Sequence, residues 1–213
     1  CYENGLQSAM IVRWPGRIEP GSKTSAMVEY VDVLPTFLDA ANFNIPKVLE
    51  GKSFLPVLSG KKSVHKEYVY GLMTTKGINN GSKSFGIRSV RDKRYKYIWN
   101  FTPDIEFENA CTHSLVFKSW IKKAQAGDAA AKERVRRYQW RPEIELYDLK
   151  NDPYEWNNIA GNEEVKKVQN RLSGALKKWM KLQGDLGQET ELAALERQRR
   201  GKKKSAIQKK NKS

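Results

Sequence analysis

The sequence predicts an α/β chain in two parts: the end of an α/β domain, then a small antiparallel sheet packed with a long C-terminal helix. Three observations carry this. A short apolar run at Ala9–Val12 is followed by helical periodicity over 30–42, with Val33, Leu34, Phe37, Leu38 and Ala41 on one face. Aromatic or alternating segments at 65–72, 85–91, 94–100 and 145–149 read as strands. Residues 162–182 then place Val165, Val168, Leu172, Ala175, Leu176 and Trp179 along one helical stripe. A strand and helix followed by a hairpin, an insertion, a strand and a long helix fits this architecture.

Each element has a local reason. The run from Ser8 to Trp14 reads as a buried strand, stopped by the turn residues Pro15-Gly16. Such a strand needs sheet neighbours on both sides that the chain does not encode, so residues 1–60 are expected to expose apolar surface and aggregate alone. Asp32 is placed to cap the helix over 30–42, and Pro35 falls in its first turn, where a missing N–H matters little. Residues 44–60 are loop-rich, with a short helix possible over 53–58. Residues 76–84 form a Gly, Asn, Ser and Lys-rich exposed loop, and Asp92-Lys93 is a two-residue hairpin connection. The stretch 101–142 is an insertion whose centre, 115–138, is rich in helix formers. The turn Lys150-Asn151-Asp152-Pro153 closes the strand at 145–149. The expected organisation is 1–62 as the end of the α/β domain, 63–185 as an α+β subdomain with a helical insertion near 102–142, and 186–213 as a basic, disordered tail.

The formal charge of +15 over 213 residues suggests polyanion binding until it is mapped. From Arg197 to Ser213 there are nine basic residues and no acidic ones, leaving +6 for the first 196 residues. A stretch of this composition has no apolar partners and is expected to stay solvated, either as a solubilising tail or as a polyanion-binding arm. Basic and aromatic residues interleave, but no RNA-binding motif accompanies them, so no nucleic-acid partner is expected. No apolar run approaches the ~20 residues that span a bilayer. The two cysteines, Cys1 and Cys111, lie in no Cys-x-x-Cys or Cys/His cluster.

Three blocks, in this order and spacing, resemble the C-terminal part of a sulfatase. The first is Tyr2-Glu3-Asn4-Gly5-Leu6 with Ile11-Val12-Arg13-Trp14-Pro15-Gly16-Arg17-Ile18. The second is Val31-Asp32-Val33-Leu34-Pro35-Thr36-Phe37-Leu38-Asp39 with residues 49–58. The third is Arg88-Ser89-Val90-Arg91 with Arg94-Tyr95-Lys96-Tyr97-Ile98, then Leu146–Pro153. Gly77 to Gly81, Ile98-Trp99-Asn100-Phe101 and the basic insertion narrow the likeness to heparan N-sulfatase (sulfamidase) and its bacterial relatives. The resemblance implies an alkaline-phosphatase-like fold and hydrolysis of sulfate esters or sulfamates, with a sulfated glycan or small sulfate ester as substrate. It further implies a formylglycine made from a Cys or Ser in Cys/Ser-x-Pro-x-Arg, a divalent cation such as Ca²⁺ on Asp and Asn ligands, and an exported, periplasmic or lysosomal location. A dianionic transition state needs a metal and several cations aimed at its oxygens.

None of that catalytic set can be assigned here. Cys1 precedes Tyr-Glu and Cys111 precedes Thr-His, and no Asp-Asp pair occurs. The Lys or Arg expected just before Tyr2-Glu3 would lie upstream of Cys1, so the chain alone is expected to be inactive. The resemblance places two cations, Lys76 and Arg88, where the C-terminal subdomain leans over the active site, and either could meet a sulfated or carboxylated sugar. Arg88 could instead pair with a local carboxylate. Asp32 reads as a cap before a metal ligand, His65 as a surface or hydrogen-bonded residue before a substrate contact, and His113 could wall a cleft from the insertion. Tyr95, Tyr97 and Trp99 present an aromatic strand face, suited to packing on the 165–179 helix or to stacking on a sugar. Two further readings stay open: a non-catalytic polyanion- or glycan-binding module, and a phosphodiester or phosphonate hydrolase of the same superfamily.

Overall fold

β1 (Val69–Met73), β2 (Ile87–Arg91), β3 (Tyr95–Asn100) and β4 (Ile144–Asp148) pair in sequence order as an antiparallel sheet. The register sets Gly71 opposite Ser89, Ser89 opposite Ile98, and Ile98 opposite Glu145. The computed structural model describes residues 1–75, 81–82 and 84–197. Because side chains alternate along a strand, β3 sends Tyr95, Tyr97 and Trp99 to one face and Ile98 to the other. On the first face Val90, Tyr97 and Leu146 pack against Leu172, Leu176 and Met180 of α6 (Lys166–Leu182). Leu172 and Leu176 are fully buried, and each such leucine is worth about 1.5–3 kcal/mol of transfer energy. Trp179 stacks on Tyr70 with centroids 4.7 Å apart, so the aromatic face serves packing, as its alternation suggested.

The second face is also covered, by Phe85, Phe107 and Tyr147 with Tyr2 and Tyr138 against Ile87 and Ile98. That explains why Ile87–Val90 is buried at every position instead of alternating. The insertion is two helices of 11 residues each, α4 (Leu115–Gln125) and α5 (Ala129–Gln139). Ser114 and Asp128 cap them, accepting from the N–H of Phe117 and of Ala131, and Gly127 at φ +95° allows the break between them.

Four expectations need correction. The run 8–14 is not a buried strand: it has no ladder partner among the described residues and Ile11 is 94% exposed. An extended segment becomes a strand only when a neighbour satisfies its N–H and C=O groups, and none lies beside it. Tyr30, Phe37, Phe43 and Val48 are exposed too, so the apolar surface expected of residues 1–60 is present. The hairpin loop is Lys93-Arg94, one residue later than Asp92-Lys93, because the Asp92 carboxylate accepts from the N–H groups of Arg94 and Tyr95 and closes the turn itself. The chain beyond 185 is not all tail: α7 (Gln188–Leu192) is helical with Glu191 buried.

The fourth concerns Asp32. A 3₁₀ turn, Tyr30–Asp32, leads into α2 (Val33–Ala40), which the short α3 (Leu55–Leu58) follows, but the Asp32 side chain does not cap α2. It accepts from the N–H of Glu29 and of Lys52, both at 2.9 Å, and pairs with Lys66 at 2.8 Å. Burial opposes the charge, yet the Lys66 ammonium and these two N–H groups hold the carboxyl below its usual range. The Gly51 backbone presses on this turn. A Cβ there would stand 1.9 Å from the carbonyl oxygen of Val31, which is backbone and cannot swing away. Gly51→Ala is therefore expected to destabilise by about 1–3 kcal/mol, read as a melting temperature lower by several degrees; an unchanged melt would show that the turn yields freely. Among the described residues no helix is long and apolar enough to cross a membrane.

Candidate functional site

Of the two predicted site cations, Arg88 alone lies among the described residues. Lys76 lies outside the described residues. Arg88, in the sheet interior, is 3% exposed. Its Nε donates to Asp185 Oδ2 at 2.5 Å and its Nη2 to Glu191 Oε1 at 2.8 Å, while Nη1 donates to the carbonyl of Ile87 at 3.0 Å. The guanidinium also sits 5.2 Å over the Phe101 ring. All its donors face protein, so an anion could reach it only by displacing a carboxylate; the local pairing weighed for it from sequence is what the geometry displays. Asp185 is partly buried, which opposes ionisation, but Arg88 and the N–H of Gly187 hold its carboxyl below the ordinary value. His113 is exposed, and His65 has its Nε2 3.3 Å from Asp32 with its ring edge-on to Phe54.

A different group of residues converges on the other side of the sheet. At the start of the chain Glu3 in α1 (Glu3–Leu6) docks onto β3: Lys96 Nζ lies 2.8 Å from Glu3 Oε1 and 3.3 Å from Glu155 Oε1, and Arg91 also pairs with Glu3. Lys96 is 1% exposed. Glu155 reaches this cluster because its backbone turns through φ +56°, uncommon for a residue with a side chain. The turn is held by Asp152, which accepts from the N–H groups of Trp156 and Asn157, and by Arg137, which donates to the carbonyls of Glu155 and Trp156. One result is that Trp156 is set, half exposed, opposite the end of α5.

Between that turn and α5 lies a cleft of about 560 Å³ whose walls include Arg136, Arg137, Trp140, Arg141, Glu145 and Trp156. Its floor is polar but satisfied. Glu145 accepts from the hydroxyls of Tyr2 (2.7 Å) and Tyr147 (2.5 Å) and from Asn100 Nδ2 (2.7 Å). Burial and the Glu145 charge push both phenols upward, so they remain O–H donors. A cleft with arginine and indole walls and a filled carboxylate can hold an anionic ring-bearing molecule, and it offers no unoccupied base for proton transfer. Sequence reasoning passed over it because Arg136-Arg137-Tyr138-Gln139-Trp140-Arg141 reads as the solvated end of a helix; three arginines and a tryptophan just before Pro142 were the available signal.

The donor set for a metal is missing here: among the described residues no group of three or more His, Cys, Asp or Glu side chains could hold an ion. Cys1 and Cys111 are free thiols outside any Cys-x-Pro-x-Arg context. Neither a divalent cation nor a formylglycine fits the described residues.

The family model described as N-sulphoglucosamine sulphohydrolase, C-terminal, matches residues 1–110. An ulvan-active sulfatase of Formosa agariphila is 38% identical over 182 residues, covering 85% of this chain and 34% of its own. The human N-sulphoglucosamine sulphohydrolase is 25% identical over 190 residues, 78% of this chain and 37% of its own. Among solved structures, BT4656 in complex with its substrate D-glucosamine-2-N,6-O-disulfate is similar at TM-score 0.55 and 26% identity, over 80% of this chain and 27% of that one. The chain thus spans about a third of the length of the curated relatives it matches.

Proposed function

Because the chain belongs to the N-sulphoglucosamine sulphohydrolase C-terminal family, we propose that it is the C-terminal domain of a sulfatase that hydrolyses sulfate esters or sulfamates on a sulfated carbohydrate. The family match over 1–110 is the observation that carries this reading. The likeness to BT4656, which is seen in complex with its substrate D-glucosamine-2-N,6-O-disulfate, supports the substrate class. In this reading the formylglycine and the Ca²⁺ or other divalent cation reside in the part of the enzyme outside this chain, where they would supply the nucleophile and neutralise the sulfate oxygens. This chain's own residues build the sheet, dock the Tyr2-Glu3 segment onto it, and wall the approach to the site. The expected compartment, exported, periplasmic or lysosomal, belongs to the same proposal.

The upstream coding sequence tests it. A reading frame that encodes Cys/Ser-x-Pro-x-Arg, Asp-Asp, and a Lys or Arg shortly before Tyr2 is expected; a Thr or an unmodified Ser in another context would shift the chemistry to phosphodiester or phosphonate hydrolysis.

Of the two cations expected to meet substrate, Lys76 carries that part of the proposal, since Arg88 would have to leave Asp185 or Glu191. In the full-length enzyme Lys76→Ala is expected to raise KM for a sulfated glycan severalfold with kcat little changed, the pattern of a lost charge-assisted contact to bound substrate. Unchanged Michaelis parameters would remove Lys76 from the site.

A further inference from the structure

Arg141 is the cation whose partners do not add up. It is 6% exposed, with its guanidinium 3.9 Å from the Phe107 centroid and 5.2 Å from that of Tyr2. Its Nε makes one long bond, 3.4 Å, to the carbonyl of Tyr138. Neither Nη group has a hydrogen-bond or ion-pair partner among the described residues, although both belong to a side chain that walls the cleft beside α5. The other buried guanidinium, Arg88, is saturated by two carboxylates, and Arg137 is spent on two carbonyls. Two carboxylates line the same cleft: Glu145 is filled by Tyr2, Tyr147 and Asn100, and Glu133 is paired with Arg136.

Stacking on aromatic rings offsets part of the desolvation of a guanidinium and leaves its in-plane N–H groups, which are not sealed from solvent here, to face the cleft. A guanidinium that opens onto a cleft without a counter-charge is free to take an anion, and a planar fork of N–H donors matches an oxyanion in a bidentate fashion. The cleft is of the size that holds a small ligand, and the half-exposed Trp140 and Trp156 offer apolar ring faces. Arg136 at its mouth is paired with Glu133, but that pair is exposed and worth little, so an anion can replace the carboxylate at small cost.

We propose that this cleft is a subsite for a sulfated sugar unit, with Arg141 as the principal ligand of the sulfate oxygens and Arg136 as a peripheral one. The inference rests on the sulfated-carbohydrate reading above and extends it to residues of the helical insertion. In this role the cleft would hold a unit of the glycan other than the one being hydrolysed, so it would affect capture of longer substrates and not the chemical step.

Two experiments test it. Isothermal titration of the 213-residue chain with D-glucosamine-2-N,6-O-disulfate, inorganic sulfate and unsulfated glucosamine is expected to show saturable binding of the disulfated sugar and none of the unsulfated one. Arg141→Gln should weaken that binding about 10-fold or more, Arg141→Lys less, and Arg136→Gln, at an exposed position that leaves folding intact, about 3-fold. In the full-length enzyme Arg141→Gln should raise KM for a sulfated oligosaccharide while kcat, and all parameters for an aryl sulfate, stay as they were. Binding unaffected by both Arg136→Gln and Arg141→Gln would overturn the subsite. So would a lowered melting temperature for Arg141→Gln with unchanged KM, which would mean that the protein itself supplies the counter-charge. If Arg141→Gln does not fold, Arg136→Gln decides alone. Sulfate release without ligand binding in the cleft defeats only the subsite; binding by the chain without sulfate release from the full-length enzyme defeats only the sulfatase reading.

Discussion

Replacing Lys96 by methionine is expected to destabilise the chain by about 3–5 kcal/mol, the usual penalty for removing one partner of a buried ion pair. Lys96 is 1% exposed and serves two carboxylates, Glu3 and Glu155, so its loss strands Glu155 and leaves Glu3 with Arg91 alone. Burial already pushes the Glu155 carboxyl above its ordinary value, with Lys96 and the N–H of Glu3 pulling it back. Without Lys96 that upward shift grows. A carboxyl whose folded pKa exceeds its unfolded one favours the folded state at low pH and loses that contribution as pH rises through the folded value. The penalty should accordingly be largest near neutrality and shrink toward pH 4. Adding Glu155→Gln to Lys96→Met should recover part of the loss. Urea unfolding at pH 7 and pH 4.5 measures both effects. A penalty under about 1 kcal/mol at pH 7 would mean that the cluster is hydrated and that Glu3 does not anchor the start of the chain to the sheet.

Arg88→Ala should be of similar size, about 3–5 kcal/mol, for the same reason: a buried cation shared by two carboxylates is lost. It leaves Asp185 and Glu191 buried without a cation and removes the contact over Phe101. The consequence is local as well as global, because Glu191 is the charged tie of α7 to β2, beside the weaker bond from Gln188 to Ser84. Amide hydrogen exchange in Gln188–Leu192 should accelerate far more than in α6. Arg88→Lys keeps the charge and loses the fork, so it should recover only part of the stability. The Asp185 carboxyl is held low, so its contribution is present above the unfolded pKa and is lost as pH falls through the folded value. The difference between wild type and Arg88→Ala should therefore narrow in acid. Wild-type stability in Arg88→Ala, together with a raised KM in the full-length enzyme, would reverse the assignment and return Arg88 to the substrate.

Sequence patterning revealed the sheet and its covering helix because both follow simple periods. Tyr95, Tyr97 and Trp99 alternate, the stripe from Val165 to Trp179 recurs at helical spacing, and each set found the other. What patterning misjudged depended on partners remote in sequence. Ala9–Val12 has a strand's composition but no neighbour among the described residues. Asp32 has a cap's position but spends its oxygens on Glu29, Lys52 and Lys66. α7 lies in a stretch too polar to predict as packed, and one buried arginine 103 residues away retains it. The cleft was hidden for a related reason. Arg141 and Trp156 are brought together by the end of a helix and by a turn at Glu155 whose positive φ no local signal announces. Motif order, by contrast, was sufficient for the family, since it records the whole fold and needs no single contact to be foreseen.

The most direct measurement is sulfate release, followed by ion chromatography, from D-glucosamine-2-N,6-O-disulfate and from sulfated polysaccharide by the full-length enzyme. Stoichiometric free sulfate that is absent from the 213-residue chain alone is the predicted result. Phosphate release from phosphodiester or phosphonate substrates without sulfate release from either sugar would contradict the account.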